Sequence, residues 1–172
     1  MDGKYYSSER SVQLLISLLK QHGIKKIVAS PGTTNLSFVA SLQQDEWFEV
    51  YSSVDERSAA YLACGMAEES GEPVVLSCTG ATASRNYIPG LTEAYYRKLP
   101  VLAVTSTQDI SRIGHHIAQV IARRVIQNDI ALLSENIPAT DDSVKSWSHT
   151  GRVTRALMEL RYPGGGRVYT NM

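Results

Sequence analysis

Cysteine is scarce in this chain of 172 residues: Cys64 and Cys78 are present, no CxxC pair is, and the residues read as two buried thiols rather than a metal site or a disulfide framework. Histidine offers no metal centre either, since His115 and His116 are adjacent while His22 and His149 stand alone. An excess of one charge is also missing. Lys plus Arg and Asp plus Glu number 17 each, so the formal net charge is zero and no global field draws in a polyanion such as nucleic acid. Residues 1–20 place Asp2, Lys4, Glu9 and Arg10 around an amphipathic Val12-Gln13-Leu14-Leu15-Ile16 run, which is too short and too interrupted for a signal peptide or a membrane span. The expectation is a cytoplasmic protein with neither a nucleic-acid nor a membrane partner. Phosphate-cradling signatures are lacking as well: no turn carries GxGxxG or GxxxxGK[ST], which argues against a plain nucleotide-binding domain.

What the chain does have is a regular alternation of patterns. Apolar residues recur at helical spacing over 7–21, and His22-Gly23 punctuates the end. Residues 24–29 then read as a strand, 36–42 as a helix, 48–53 as a strand and 55–70 as a helix stopped by Gly71. The nearly continuous apolar run 73–78 reads as a buried strand, followed by a helix reaching about Arg97, a core strand over 99–106, a looser stretch to Arg112 and a helical pattern over 117–130. An edge-like strand at 133–137, a helix at 143–160, a turn at Gly164-Gly165-Gly166 and a last strand at 167–171 complete the series. Alternation of this kind implies an α/β fold: a doubly wound, mostly parallel six-stranded sheet with helices on both faces. With no linker, repeat or low-complexity tract, residues 1–172 are expected to form one domain.

Within that fold, Glu56 is the foremost candidate for chemistry, because it lies where a strand ends and a small-residue helix begins, in Ser53-Val54-Asp55-Glu56-Arg57-Ser58-Ala59-Ala60. In open α/β sheets ligands bind at the carboxyl ends of strands. The competing explanation is ordinary, since acidic side chains are favoured in the first turn of any helix by its exposed amides and its dipole. Two further turns share the predicted rim, Ser30-Pro31-Gly32-Thr33-Thr34 and Thr79-Gly80-Ala81-Thr82, so a composite pocket is expected there. For the second of these turns, simple helix-start chemistry is the alternative.

Taken together, Ser30-Pro31-Gly32, Asp55-Glu56-Arg57-Ser58-Ala59-Ala60, Gly65-Met66-Ala67, Cys78-Thr79-Gly80-Ala81-Thr82 with Asn86, Pro89 and Glu93-Ala94 resemble the pyrimidine-binding (PYR) domain of thiamine-diphosphate-dependent enzymes. The resemblance runs from about Val12 to Asn171 and is strongest toward the menaquinone-pathway (SEPHCHC) synthase and acetolactate synthase groups; Asn86-Tyr87-Ile88-Pro89 and the ending Gly165-Gly166-Arg167-Val168-Tyr169-Thr170-Asn171 are especially similar to the former. It implies that the Glu56 carboxyl group hydrogen-bonds N1′ of the cofactor's aminopyrimidine, and through that ring promotes loss of the thiazolium C2 proton. It likewise implies that Pro31, Gly32, Thr79, Gly80, Ala81, Thr82 and Asn86 contact thiamine diphosphate, with Thr33, Thr34 and Gln119 toward the substrate. The implied reaction is decarboxylation or carboligation of a 2-oxo acid, and the implied assembly is a dimer with the cofactor between this domain and a diphosphate-binding one.

This sequence departs from the family pattern at two points. The menaquinone synthases carry an arginine in the first turn for a carboxylated substrate, whereas Thr33, Thr34 and Asn35 stand here, so a different 2-oxo acid or aldehyde is expected. The GDG…N segment that holds Mg2+ and the diphosphate is absent, so the chain is expected to be catalytically incomplete by itself and to need that domain from the same enzyme or from a separate subunit. A non-catalytic binding or regulatory module that retains the fold is the alternative.

Overall fold

In the computed structural model, which describes residues 6–121, 128–137, 142–161 and 167–171, six strands form one sheet in the order β2-β1-β3-β4-β6-β5. They are β1 (Lys26–Ala29), β2 (Glu49–Ser52), β3 (Val74–Thr79), β4 (Val101–Ser106), β5 (Leu133–Asn136) and β6 (Arg167–Asn171). Every neighbouring pair is parallel. The helices are α1 (Arg10–Gln21), α2 (Leu36–Gln43), α3 (Glu56–Ser70), α4 (Ala81–Arg85), α5 (Ile88–Arg97) and α6 (Ser143–Arg161).

Register explains why two cores form. Ile27, Val75, Leu102 and Val168 stand in one row across β1, β3, β4 and β6, and the period-two alternation of a strand sends that row to a single face. There they meet Leu15, Ile16, Phe38, Leu42, Val153 and Leu157 from α1, α2 and α6. The alternate row, Val28, Leu76 and Ala103, faces the other way and packs with Ala59, Ala60, Ala63, Cys64 and Ala67 of α3 and with Tyr87, Leu91 and Ala94. Burying each of the larger aliphatic side chains contributes about 1.5–3 kcal/mol. Such two-sided burial accounts for the nearly unbroken apolar runs of β3 and β4.

Two expectations are corrected by the structure. The helix expected from about Thr82 to Arg97 is broken into α4 and α5, with Asn86 and Tyr87 between them. Pro89 supplies the reason: it has no N–H for the carbonyl of Arg85, and its ring clashes with that carbonyl, so it sits instead in the first turn of a new helix. Residues 117–121 and 128–130 are not helical, and 122–127 lie outside the described residues. His116 and Gln119 have φ of +55° and +60°, a left-handed backbone that breaks any α-helix through this stretch. The Gly164-Gly165-Gly166 turn also lies outside the described residues.

A polar hub at the edge of the α1–α2 layer ties the N-terminal segment down. Asp45, buried at 5% exposure, accepts hydrogen bonds from the Tyr6 hydroxyl, the Lys20 ammonium and, at 3.2 Å, the Trp47 backbone N–H. Burial alone would raise the Asp45 pKa, but the bonds from Lys20, Tyr6 and Trp47 outweigh it and hold the group below the usual aspartate value. The Tyr6 hydroxyl, donating to that carboxylate, is pushed up to about 12. A depressed folded-state pKa means stability that is present above the unfolded value, near 3.9, and lost as pH falls through the folded one. Denaturant unfolding should therefore show stability dropping as pH falls below about 4. Asp45→Asn should flatten that part of the profile, and Asp45→Ala should cost about 1–3 kcal/mol at neutral pH by leaving the Trp47 N–H and Lys20 without their acceptor.

Candidate active site

Because all six strands run the same way, the segments after β1, β2, β3 and β4 emerge on one edge of the sheet. The chain leaves β1 for β2 on one side and later enters β3 on the other, which makes the gap between β1 and β3 a topological switch point, where ligands bind in such sheets. The first and third sequence-predicted turns stand on either side of that gap.

The β1 turn is rigid for an identifiable reason. Asn35, 1% exposed, accepts the Gly32 backbone N–H at 2.9 Å through Oδ1 and donates through Nδ2 to the Ser30 carbonyl at 3.1 Å and the Ser77 hydroxyl at 3.2 Å. One buried side chain thus folds the turn upon itself and joins it to β3. Asn35 was read from the sequence only as the last residue of the turn; an amide ending a glycine-containing turn directly ahead of a helix is the signal for such a side-chain closure. Thr34 donates its hydroxyl to the Ser106 carbonyl at 2.9 Å, so it braces the turn against β4. Thr33, with Pro31 and Gly32, lines instead an open cavity of about 430 Å³ that continues along Leu36, Val39 and Gln43 of α2. Among the described residues no charged side chain lines it.

Gly32 itself is required by closeness. A Cβ at this position would lie 2.2 Å from Thr79 Cγ2, at the end of β3. At Gly80 a Cβ would come within 2.8 Å of Thr107 Cγ2 and 3.1 Å of the Ser106 carbonyl oxygen, to which the Gly80 N–H donates at 2.7 Å. Ala81 follows in the left-handed region, φ +57°, a conformation that costs a non-glycine residue of the order of 1–2 kcal/mol. Small residues therefore occupy Gly80 and Ala81 because the β3 turn is pressed against the β4 turn, while Thr82 is exposed at the start of α4.

Glu56 is the first residue of α3, and its placement follows from the preceding cap. Asp55, in extended backbone, accepts the Ser58 backbone N–H at 3.2 Å and the Ser58 hydroxyl at 2.6 Å, and the latter bond holds its carboxyl below the usual range. With the cap provided by Asp55, the Glu56 carboxylate is not used to close its own helix. It is half-buried, and its Oε2 receives the Asn86 side-chain amide at 3.4 Å. The structure thus brings together Glu56 and Asn86, and separately Gly32 and Thr79 across the switch point. Gln119 is exposed in the segment after β4 and makes no hydrogen bond to the other candidates among the described residues. Cys64 and Cys78 are buried free thiols; burial pushes Cys64 up to about 11, and its Sγ contacts the Gly90 carbonyl at 3.2 Å. Among the described residues no group of three or more His, Cys, Asp or Glu is gathered as a metal ion would require.

The model for the thiamine pyrophosphate enzyme N-terminal TPP binding domain matches residues 10–129. Over 172 aligned residues the chain is 35% identical to the 2-succinyl-5-enolpyruvyl-6-hydroxy-3-cyclohexene-1-carboxylate synthase of Porphyromonas gingivalis, an alignment covering 97% of this chain and 29% of that protein. The synthase of the same name from Bacteroides thetaiotaomicron is 32% identical over 167 residues, covering 97% of this chain and 30% of its own length. In fold the chain is similar to the thiamine diphosphate-dependent 4-hydroxybenzoylformate decarboxylase of Rhodococcus jostii, with a TM-score of 0.78, 20% identity, and 94% of this chain and 29% of that one covered. The chain spans about 30% of the length of the curated relatives it matches.

Gly32 and Thr79 approach one another closely across the switch point. Gly32→Ala should lower the thermal midpoint, by an amount equivalent to about 1–3 kcal/mol, because its methyl meets Thr79 Cγ2. Thr79→Ser removes that methyl and leaves Thr79 Cβ at 3.5 Å and Asn35 Oδ1 at 3.6 Å, both ordinary contacts, so the double variant should recover most of the loss. Thermal unfolding of the single and double variants measures the coupling.

Proposed function

The chain belongs to the thiamine pyrophosphate enzyme family, in its N-terminal TPP-binding domain, and from that premise we propose that residues 1–172 form the pyrimidine-binding part of an enzyme that decarboxylates or joins a 2-oxo acid. The observation that carries the reading is the half-buried Glu56 carboxylate at the ligand-binding edge of the sheet, freed from capping by Asp55 and paired with a neutral amide donor. A carboxylate in such a setting suits a ring nitrogen that gains a proton: Glu56 holds that proton at N1′ through a charge-assisted bond and orients the ring. Thiamine diphosphate, when bound, supplies the carbanion chemistry beside a carbonyl group.

The compact β3 turn at Thr79, Gly80 and Ala81, with Thr82 and Asn86 following, suits close backbone approach to a flat aminopyrimidine, and Pro31 and Gly32 lie across the switch point from it. Thr33 lines a cavity without charged groups, which favours a substrate whose distal part is uncharged over a dicarboxylate; Thr34 supports that turn, and Gln119 belongs to the segment that would complete the pocket. Mg2+ and the diphosphate fall to a second domain, in the same chain or in a separate subunit. Exposed Tyr61 and Leu62 on α3 and Tyr96 on α5 offer an apolar surface for that partner in a dimeric assembly. The free thiols of Cys64 and Cys78 suit a cytoplasmic setting, and among the described residues no helix is long and apolar enough to cross a membrane.

Glu56→Gln, assayed in the assembly with the diphosphate-binding domain, should leave the fold intact and slow hydrogen–deuterium exchange at cofactor C2 by about 10²–10⁴-fold. Exchange at the unaltered rate would overturn the role given to Glu56.

A further inference from the structure

Glu56 and Asn86 are thirty residues apart in sequence, and nothing local brings them together. Three features of the fold do. Pro89 ends α4 early, so that Asn86 falls in the break rather than on a continuous helix face. Tyr87, fully buried, anchors the break in the core beneath it. Gly90, in the first turn of α5, lies so close to α3 that a Cβ there would stand 2.5 Å from Ala60 Cβ and 3.0 Å from the Ala60 carbonyl carbon. The spacing between α3 and α5 is therefore set by contact of a glycine with an alanine, one turn from Glu56 on α3 and one turn from Asn86 on the other side.

We propose that Asn86 is a positioning residue that acts through Glu56: its amide holds Oε2, so that Oε1, which makes no hydrogen bond among the described residues, is the oxygen presented to the cofactor ring. This rests on the reading of Glu56 as the carboxylate that meets the aminopyrimidine. A carboxylate on a first-turn glutamate can otherwise rotate about its terminal torsion, which is broad and roughly two-fold. A neutral donor restrains that torsion without supplying a proton or a second charge that would compete for the ring nitrogen. At 3.4 Å the bond is long, as bonds of this kind are before the ligand is in place. Misplacing a catalytic group by about 1 Å is enough to slow a reaction on the order of 10²-fold.

Two measurements test the assignment. In the 172-residue chain without cofactor, nitrogen-15 NMR should show the Asn86 side-chain amide signals moving when Glu56 is replaced by Ala, while the other Asn side-chain amides stay in place; unmoved Asn86 signals would overturn the contact. In the assembly with the diphosphate-binding domain, Asn86→Ala and Asn86→Asp should slow C2 exchange by about 10–100-fold, with the thiamine diphosphate dissociation constant changing by less than about threefold. Asn86→Asp should be the slower of the two, because it replaces the donor by a like charge. Equal losses in affinity and exchange would make Asn86 a binding contact and overturn the positioning role. The outcomes separate the two ideas. Full exchange in Asn86→Ala with exchange lost in Glu56→Gln defeats this inference alone, and full exchange in Glu56→Gln defeats the reading on which it rests.

Discussion

The single direction of the six strands is the constraint on which the rest of the molecule depends. Parallel strands cannot be joined by tight hairpins, so each connection must cross a face of the sheet, and helical crossovers cover both faces. Covering both faces demands apolar residues on both sides of the central strands, which is what β3 and β4 provide over Val74-Val75-Leu76 and Val101-Leu102-Ala103-Val104. The same constraint delivers every strand's carboxyl end to one edge. Residues more than forty positions apart in sequence, such as Gly32 and Thr79, or Thr34 and Ser106, become neighbours there through no sequence-local preference.

Much of this was legible in the sequence because it depends on periodicity. The six strands and the α/β class follow from runs and spacings, and the end of α3 follows from Gly71, which adopts φ +66°. Asp55 and Glu56 at a strand-to-helix junction were equally visible. What stayed hidden depends on contacts at long range or on backbone sign. Pro89 was present in the sequence, yet the apolar pattern continued smoothly past it, and only the broken helix reveals that its ring had been decisive. The left-handed φ at His116 and Gln119 has no compositional mark, since neither residue is glycine, so the apolar spacing of Ile117, Ala118 and Val120 was read as helical. Asn35 looked like any polar residue in a turn; the bond by which it joins that turn to β3 depends on Ser77, forty-two positions away.

The candidate site shows a division of labour between side chains left unused at the edge and side chains that hold the edge in shape. Asn35, Thr34 and Asp55 belong to the second group. Each spends its hydrogen bonds within the protein, on a turn, on a neighbouring strand or on a helix start. Glu56 is left over from that arrangement as a carboxylate without a structural duty. A group relieved of such duty is free to be matched to a ligand, and the family to which the chain belongs supplies one.

The two faces of the sheet are built by opposite means, and they should tolerate sequence drift in opposite ways. Under α1, α2 and α6 the space is filled by large side chains, Leu15, Phe38, Leu42 and Leu157 among them, so replacements that shrink a residue leave a void. Beneath α3 the helix contributes Ala59, Ala60, Ala63, Cys64 and Ala67, so only small side chains separate it from the sheet, and the distance to α5 is set by Gly90 lying against Ala60. Enlargement is the danger there, since one added methylene must move a whole helix. A chain diverging under selection would thus be expected to wander in volume on the first face and to stay small on the second, and an inventory of residue sizes would by itself indicate which side of the sheet carries the Glu56 helix.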